Sequence, residues 1–259
     1  MIKNVLKSIQ AYTQSFGLIS KLKLWKYFFI PILISIITAI IIGFLAYGLS
    51  DNIGYYIAKI WRWEWGKETF TTISSIIGGL SIIVLGLILY KHIIMALSAP
   101  FMSPVSEKIE AHFSGYSLSK NHNHRNTTFS NQLWRGIRIN VRNLGKELLF
   151  TIPILLLSFI PVFNIFTTTV LFLIQAYYAG FGNMDYTLER HYNYNESLNF
   201  VKQNKGLAIG NGIVFMLFLM IPIVGVILVL PFSVTAASIG TVERITSKNL
   251  LKDNKTIAE

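Results

Sequence analysis

Three groups of residues have the types and spacing to do chemistry. Lys21, Lys23 and Lys26 stand together just before a long apolar run. Positive charge there, at a helix N-terminus whose backbone N–H groups are free, is a sound place for an anion. The same lysines read equally well as markers of the side facing the cytoplasm. In SAPFMSPVSEKIE, Glu107 and Glu110 lie one turn apart on one helix face, either a solvated face or a polar lining at the inner mouth of a pathway. His122 and His124 form an HNH triplet that has no third ligand at a metal-binding spacing. The chain has no cysteine, which excludes disulfides, thiolate metal sites and a thiol nucleophile. It also lacks a P-loop, a Gly-x-Gly-x-x-Gly turn and a nucleophile elbow, so it reads as a non-enzyme with no cofactor and no metal.

The elements that must position these groups are hydrophobic. Of 259 residues, 53% are hydrophobic and only 14% charged, and the mean hydropathy is +0.52. That composition calls for lipid as solvent. The net charge of +11 has no nucleic-acid motif behind it and suits anionic headgroups. Residues 28–50 form an uncharged run long enough to span a bilayer, and 73–97 form a second. Lys91 and His92 fall near the end of the second run and are expected at headgroup level, the lysine stem snorkelling. No charged pair lies within the apolar runs to couple an ion.

Residues 148–181 and 207–242 are each too long for one span and marginal for two. Each is interrupted near its middle by a proline and a turn-prone residue, Pro161 with Asn164 and Pro222 with Gly225. The spacing predicts two helical hairpins that partly penetrate the membrane, related as a weak internal repeat that superposes Pro161 on Pro222. Two kinked spans are the alternative, and either returns the chain to the same side.

The flanks are patterned too. In residues 1–27, Ile2, Val5, Leu6, Ile9 and Phe16 recur at helical spacing and predict an interfacial amphipathic helix. In the segment 98–147, Trp134, Ile137, Val141, Leu144 and Leu148 form an apolar stripe beside Arg135, Arg138 and Arg142, as in a helix with its basic edge on lipid phosphates. Ala99-Pro100-Phe101 is expected to end or kink the second span, with a new helix from about Ser103 and Pro104 in its first turn. Residues 1–27 carry five lysines and no acid, and 98–147 carry seven basic residues against three acids. The positive-inside rule puts both on the cytoplasmic side, and the 182–206 loop and C-terminal tail follow by parity.

From about Gly17 to Glu243 the chain resembles the CysZ-type sulfate permeases of bacteria and the wider etoposide-induced-protein superfamily. The likeness is carried by GLISKLKLWKYFFIP, SAPFMSPVSEKIE, FIPVFN, DYTLERHYNYNESLNFVKQNK, MIPIVG and LPFSVTAA. The resemblance implies an all-α integral membrane protein of the bacterial inner membrane. Two long transmembrane helices, two partly penetrating hairpins and interfacial amphipathic helices would assemble as a homo-oligomer that admits sulfate for cysteine synthesis. It further implies an anion site at Gly17, Leu18, Lys21, Lys23 and Lys26, and a pathway lined by Pro100, Phe101, Glu107 and Glu110. Where that family has two arginines before the first span, this chain has Trp25 and Lys26, and Met102 replaces the asparagine after Phe101. That departure keeps a second reading in view, a non-transporting scaffold or envelope-biogenesis factor on the same fold.

Overall fold

A chain dissolved in lipid must satisfy its backbone polar groups internally, and helices do this within a single segment. In the computed structural model, which describes residues 1–59, 66–114, 127–157, 164–221 and 224–258, the regular structure of the described residues is all helical. Helix α1 (Ile2–Lys21) leads through a 3-10 turn (Leu24–Tyr27) into α2 (Phe29–Ala58). Then follow α3 (Lys67–Leu97), α4 (Ala99–Ser114) and α5 (Phe129–Leu157). The last four are α6 (Asn164–His191), α7 (Tyr194–Gln203), α8 (Lys205–Leu219) and α9 (Val224–Ala258).

Three helical stretches are long and apolar enough to cross a membrane: Leu24–Ala58, Ile165–His191 and Leu228–Lys248. A fourth arises if Ile88–Leu97 and Ala99–Phe113, bent by 68° at Ser98, count as one span. The protein is therefore an all-α membrane protein. Its spans differ in surroundings. Only 22% of the apolar window in the first is buried within the protein, against 83% in the last, so α2 presents its side chains to lipid while α9 is the central post. Residues 229–242 of α9 are all buried, and α1, α2, α4, α6 and α8 pack around them.

Small residues let two of the surrounding helices, α6 and α8, close on each other. A Cβ on Gly212 of α8 would stand 1.7 Å from the Ala176 carbonyl oxygen of α6, and one on Gly180 of α6 would stand 1.8 Å from the Ala208 carbonyl oxygen of α8. The pattern is the small-xxx-small crossing, in which Ala176 and Gly180 meet Ala208 and Gly212 backbone to backbone.

In the second long apolar run helix ends at Leu219, two residues of turn follow, and α9 begins at Val224; in the first, α5 is described to Leu157 and α6 from Asn164. Pro161 and Pro222 themselves lie outside the described residues. The arms are unequal: α6 and the core of α9 are long enough to cross, whereas α8, with 15 residues, reaches only about 22 Å at 1.5 Å per residue. Gly225 sits at the second tip, where a Cβ would fall 1.8 Å from the Phe218 carbonyl oxygen.

Four sequence expectations are corrected. The helix after Ser98 starts at Ala99 rather than near Ser103, so Pro104 lies inside α4 and Pro100 in its first turn. The arginine-flanked stripe and the first arm of the first hairpin form one continuous helix, α5, with Pro153 inside it. The 182–206 segment is no loop: α6 runs on to His191, and α7 is launched by a capping box in which Asn193 and Glu196 bond each other's backbone N–H. Lastly, α1 has a second working face. Ile2, Leu6 and Phe16 point outward, but Ser8, Ala11, Ser15 and Leu18 pack into the protein, Ser8 donating to the Leu207 carbonyl at 2.9 Å.

Candidate functional site

Two sites emerge, one exposed and cationic, one buried and ion-paired. The exposed site is the corner between α1 and α2. Lys21 closes α1, Lys23 adopts a left-handed backbone (φ 51) that reverses the chain, and Lys26 lies in the 3-10 turn. All three are exposed. The first turn of α2 has Phe28 before it, no side-chain cap and no acidic residue, which leaves the positive end of the helix dipole uncompensated by a side chain. Lys26 and Lys108 of α4 both approach the ring of Tyr27, at 5.2 and 5.7 Å. Lys108 thus joins the corner, although sequence reading gives no reason to add it.

Gly17 and Leu18 belong to α1 itself; Gly17 is exposed and Leu18 buried, so they form no loop around an anion. Trp25, half exposed, stacks edge-on with Phe28 at 5.3 Å and Phe232 at 6.2 Å, taking the place of a guanidinium with an aromatic anchor.

The buried site clamps the α3–α4 bend. Glu110 and Glu107 part company: Glu107 is exposed, but Glu110 is 5% exposed and held by Arg190 of α6. Arg190 Nη2 and Nε donate to Glu110 Oε2 at 2.8 and 3.1 Å, and His191 Nε2 lies 2.6 Å from Glu110 Oε1. Arg190 Nη1 donates to Ser106 Oγ at 2.8 Å and to the Tyr186 carbonyl at 3.0 Å. Pro100 is buried and Phe101 half buried, the latter edge-on to Phe129 at 5.6 Å. None of these contacts leaves Glu110 as a solvated face.

Two further buried pairs tie α5 into the same region. Arg135 makes a bidentate pair with Asp185, Nε to Oδ2 at 2.9 Å and Nη2 to Oδ1 at 2.8 Å, and also donates to Ser197 Oγ and the Tyr192 carbonyl. Burial works against its charge, but the Asp185 carboxylate outweighs it and pushes the pKa up, so Arg135 stays a fixed cation. It is therefore not on lipid phosphate as the stripe suggests; Arg138, exposed and 3.9 Å over the Tyr194 ring, is the outward-facing member. Lys91 and His92 are also corrected. They do not snorkel: both are buried against Glu147 of α5, with Lys91 Nζ at 2.7 Å and His92 Nε2 at 3.1 Å.

Charged pairs are thus present inside the fold, assembled from partners some fifty to eighty positions apart. The local signal for part of this was Asp185 and Glu189, four residues apart on one face of a helix that reads as a loop. Asn164 opens α6. His122 and His124 lie outside the described residues.

Chemically, the buried cluster offers no cation to an incoming oxyanion, since Lys91, Arg135 and Arg190 each have a carboxylate. The lysine corner does. Residues 11–230 match the family described as Sulfate transporter CysZ/Etoposide-induced protein 2.4. The chain belongs to that family of membrane proteins. Among individual relatives, it is 28% identical over 144 residues to a protein of Pseudomonas syringae pathovar tomato named Sulfate transporter CysZ. That match covers 55% of this chain and only 56% of the relative. A Pseudomonas fluorescens protein of the same name is 26% identical over 194 residues, covering 71% of this chain and 74% of the relative. Both relatives are named as transporters, not enzymes.

Proposed function

We propose that this protein is a permease or channel for a small inorganic oxyanion, sulfate or a close relative, that supplies sulfur assimilation. It would work in a bacterial inner membrane as a homo-oligomer, with both termini cytoplasmic and membrane lipid as its other partner. The observation that carries the reading is the uncapped start of α2, surrounded by exposed Lys21, Lys23 and Lys26. Helix dipole and ammonium charge act together there, and lysine, as a mobile point charge, attracts a tetraoxyanion without gripping it as an arginine fork would. The family's transporter relatives support the same substrate class. The paired buried cations support a path in which the anion is gathered at this corner, with Glu110 and Arg190 bracing the bend beside it.

A second reading, a non-transporting scaffold, is favoured by Trp25, which fills a guanidinium position with a ring packed on Phe28 and Phe232. Uptake of labelled sulfate into proteoliposomes decides between them. The permease reading expects uptake above empty liposomes, cut several-fold by Lys23→Ala with Lys26→Ala while the folded yield is unchanged. Folded protein that transports no more than lipid alone would leave the scaffold.

A further inference from the structure

The crevice between the α3–α4 bend, α5 and α6 contains more acceptors than donors. It is lined by Ala99, Gly136, Asn140, Asp185, Tyr186 and Glu189 and is too narrow for a water-sized sphere. The side-chain donors of Tyr186, Gln132, Arg135 and Arg190 around it are engaged, while the Ser98 hydroxyl at the bend is buried with no partner. The Tyr186 hydroxyl donates to the Met95 carbonyl, Gln132 Nε2 to Ser103 Oγ, Arg135 to Asp185, and Arg190 to Glu110, Ser106 and the Tyr186 carbonyl. Two acceptors are left over. Asn140 is 2% exposed; its amide nitrogen donates to the Gly136 carbonyl, but its Oδ1 is buried with no partner. Gly182 keeps the space before that oxygen open, since a Cβ there would stand 3.3 Å from it. Glu189, also 2% exposed, accepts from the Ser103 hydroxyl through Oε1, and among the described residues its Oε2 has neither hydrogen bond nor ion pair.

The charges agree with the geometry. Lys91, Arg135 and Arg190 pair with Glu147, Asp185 and Glu110, and Glu189 is the carboxylate over. The two histidines nearby, His92 and His191, stand against Glu147 and Glu110. The C-terminal end of α3, the negative end of its dipole, breaks at Ser98 beside this crevice. A Cβ on Gly136 would stand 2.6 Å from the Ala99 Cβ and 3.0 Å from the Ala96 carbonyl oxygen, so glycine there lets α5 close on the bend. A buried amide oxygen and a carboxylate oxygen without a partner, near the negative end of a helix dipole, together suit a small hard cation.

We propose that this crevice binds one sodium ion, held by Glu189 and Asn140 Oδ1. A single positive charge balances the surplus carboxylate, and a bare sodium ion is smaller than the water the crevice excludes. Its use as a coupling ion for anion entry rests on the permease reading; the binding does not.

The test is equilibrium dialysis of the purified full-length protein in detergent against radioactive sodium, with thermal unfolding in sodium, potassium and choline chloride at matched ionic strength. One saturable ion per chain is expected. Sodium alone should raise the transition, by about 5 °C near saturation. The shift should be lost in Glu189→Gln and kept in Asn140→Asp, which retains the oxygen. Absence of saturable sodium in the wild-type protein overturns the site, as does a folded Glu189→Gln protein that still responds to sodium. Because no sulfate is involved, this result can fail while sulfate uptake persists, or hold where uptake is absent.

Discussion

Arg190 shows how much one side chain can carry in a helical membrane protein. Its guanidinium spans α4 and its own helix, satisfying Glu110, Ser106 and the Tyr186 carbonyl from one buried position. Removing one member of such a pair strands the other's charge, at a cost on the order of 3–5 kcal/mol. Glu110→Ala is therefore expected to lower stability by that amount in a denaturant titration in micelles. The double variant Glu110→Leu, Arg190→Met should lose less than the sum of the two single changes, since it buries no lone charge. Glu107→Ala, at an exposed position on the same helix, should change stability by no more than about 0.5 kcal/mol. The sequence displays the two glutamates as equivalent. Only the packing of α6 on α4 tells them apart, and that depends on α6 continuing to His191. Lys91 is a similar case: its depth in an apolar run argues for the headgroup region, and its actual partner, Glu147, lies in a different segment.

At the scale of helices, glycine and proline have meanings that depend on what stands opposite. Gly43 of α2 has no atom within 4 Å of where a Cβ would be, whereas Gly212 has the Ala176 carbonyl oxygen at 1.7 Å. Gly43→Ala should then be neutral or stabilise by up to about 1 kcal/mol through helix propensity. Gly212→Ala must push α8 off α6 and is expected to sharply reduce the folded fraction recovered by size-exclusion chromatography. Equal behaviour of the two variants would rule out the close crossing. Hydrophobic runs made the helices legible, and the turn-prone middle of the second long run made the end of α8 legible. Proline alone did not: Pro104, Pro153 and Pro231 lie within helices, because neighbouring helices can satisfy what a proline leaves unpaired.

For the molecule as a whole, the basic segments converge on one end. Lys7 of α1 pairs with Glu243 of α9 at 2.7 Å, Arg244 donates to Asn204 at 2.8 Å, and Arg135 reaches Ser197 at 2.7 Å. The N-terminal helix, the α6–α8 connection, the end of α9 and the start of α5 therefore share one face, the set that the positive-inside rule would assign to the cytoplasmic side. Lys67 and Glu68 open α3, whose 31 residues extend about 46 Å at 1.5 Å per residue, putting them at the far end from Leu97 and the bend. With no native cysteine, single cysteines can report this arrangement directly. In sealed, right-side-out vesicles an impermeant maleimide is expected to label Glu68→Cys, and to label Lys7→Cys, Lys202→Cys and Lys248→Cys only after the membrane is opened. Mixed accessibility among the last three would mean that the charge convergence is not the membrane sidedness. Uniform reversal would keep the fold and invert its orientation, placing the lysine corner before α2 on the opposite side from the one proposed and turning anion capture from the inner mouth to the outer.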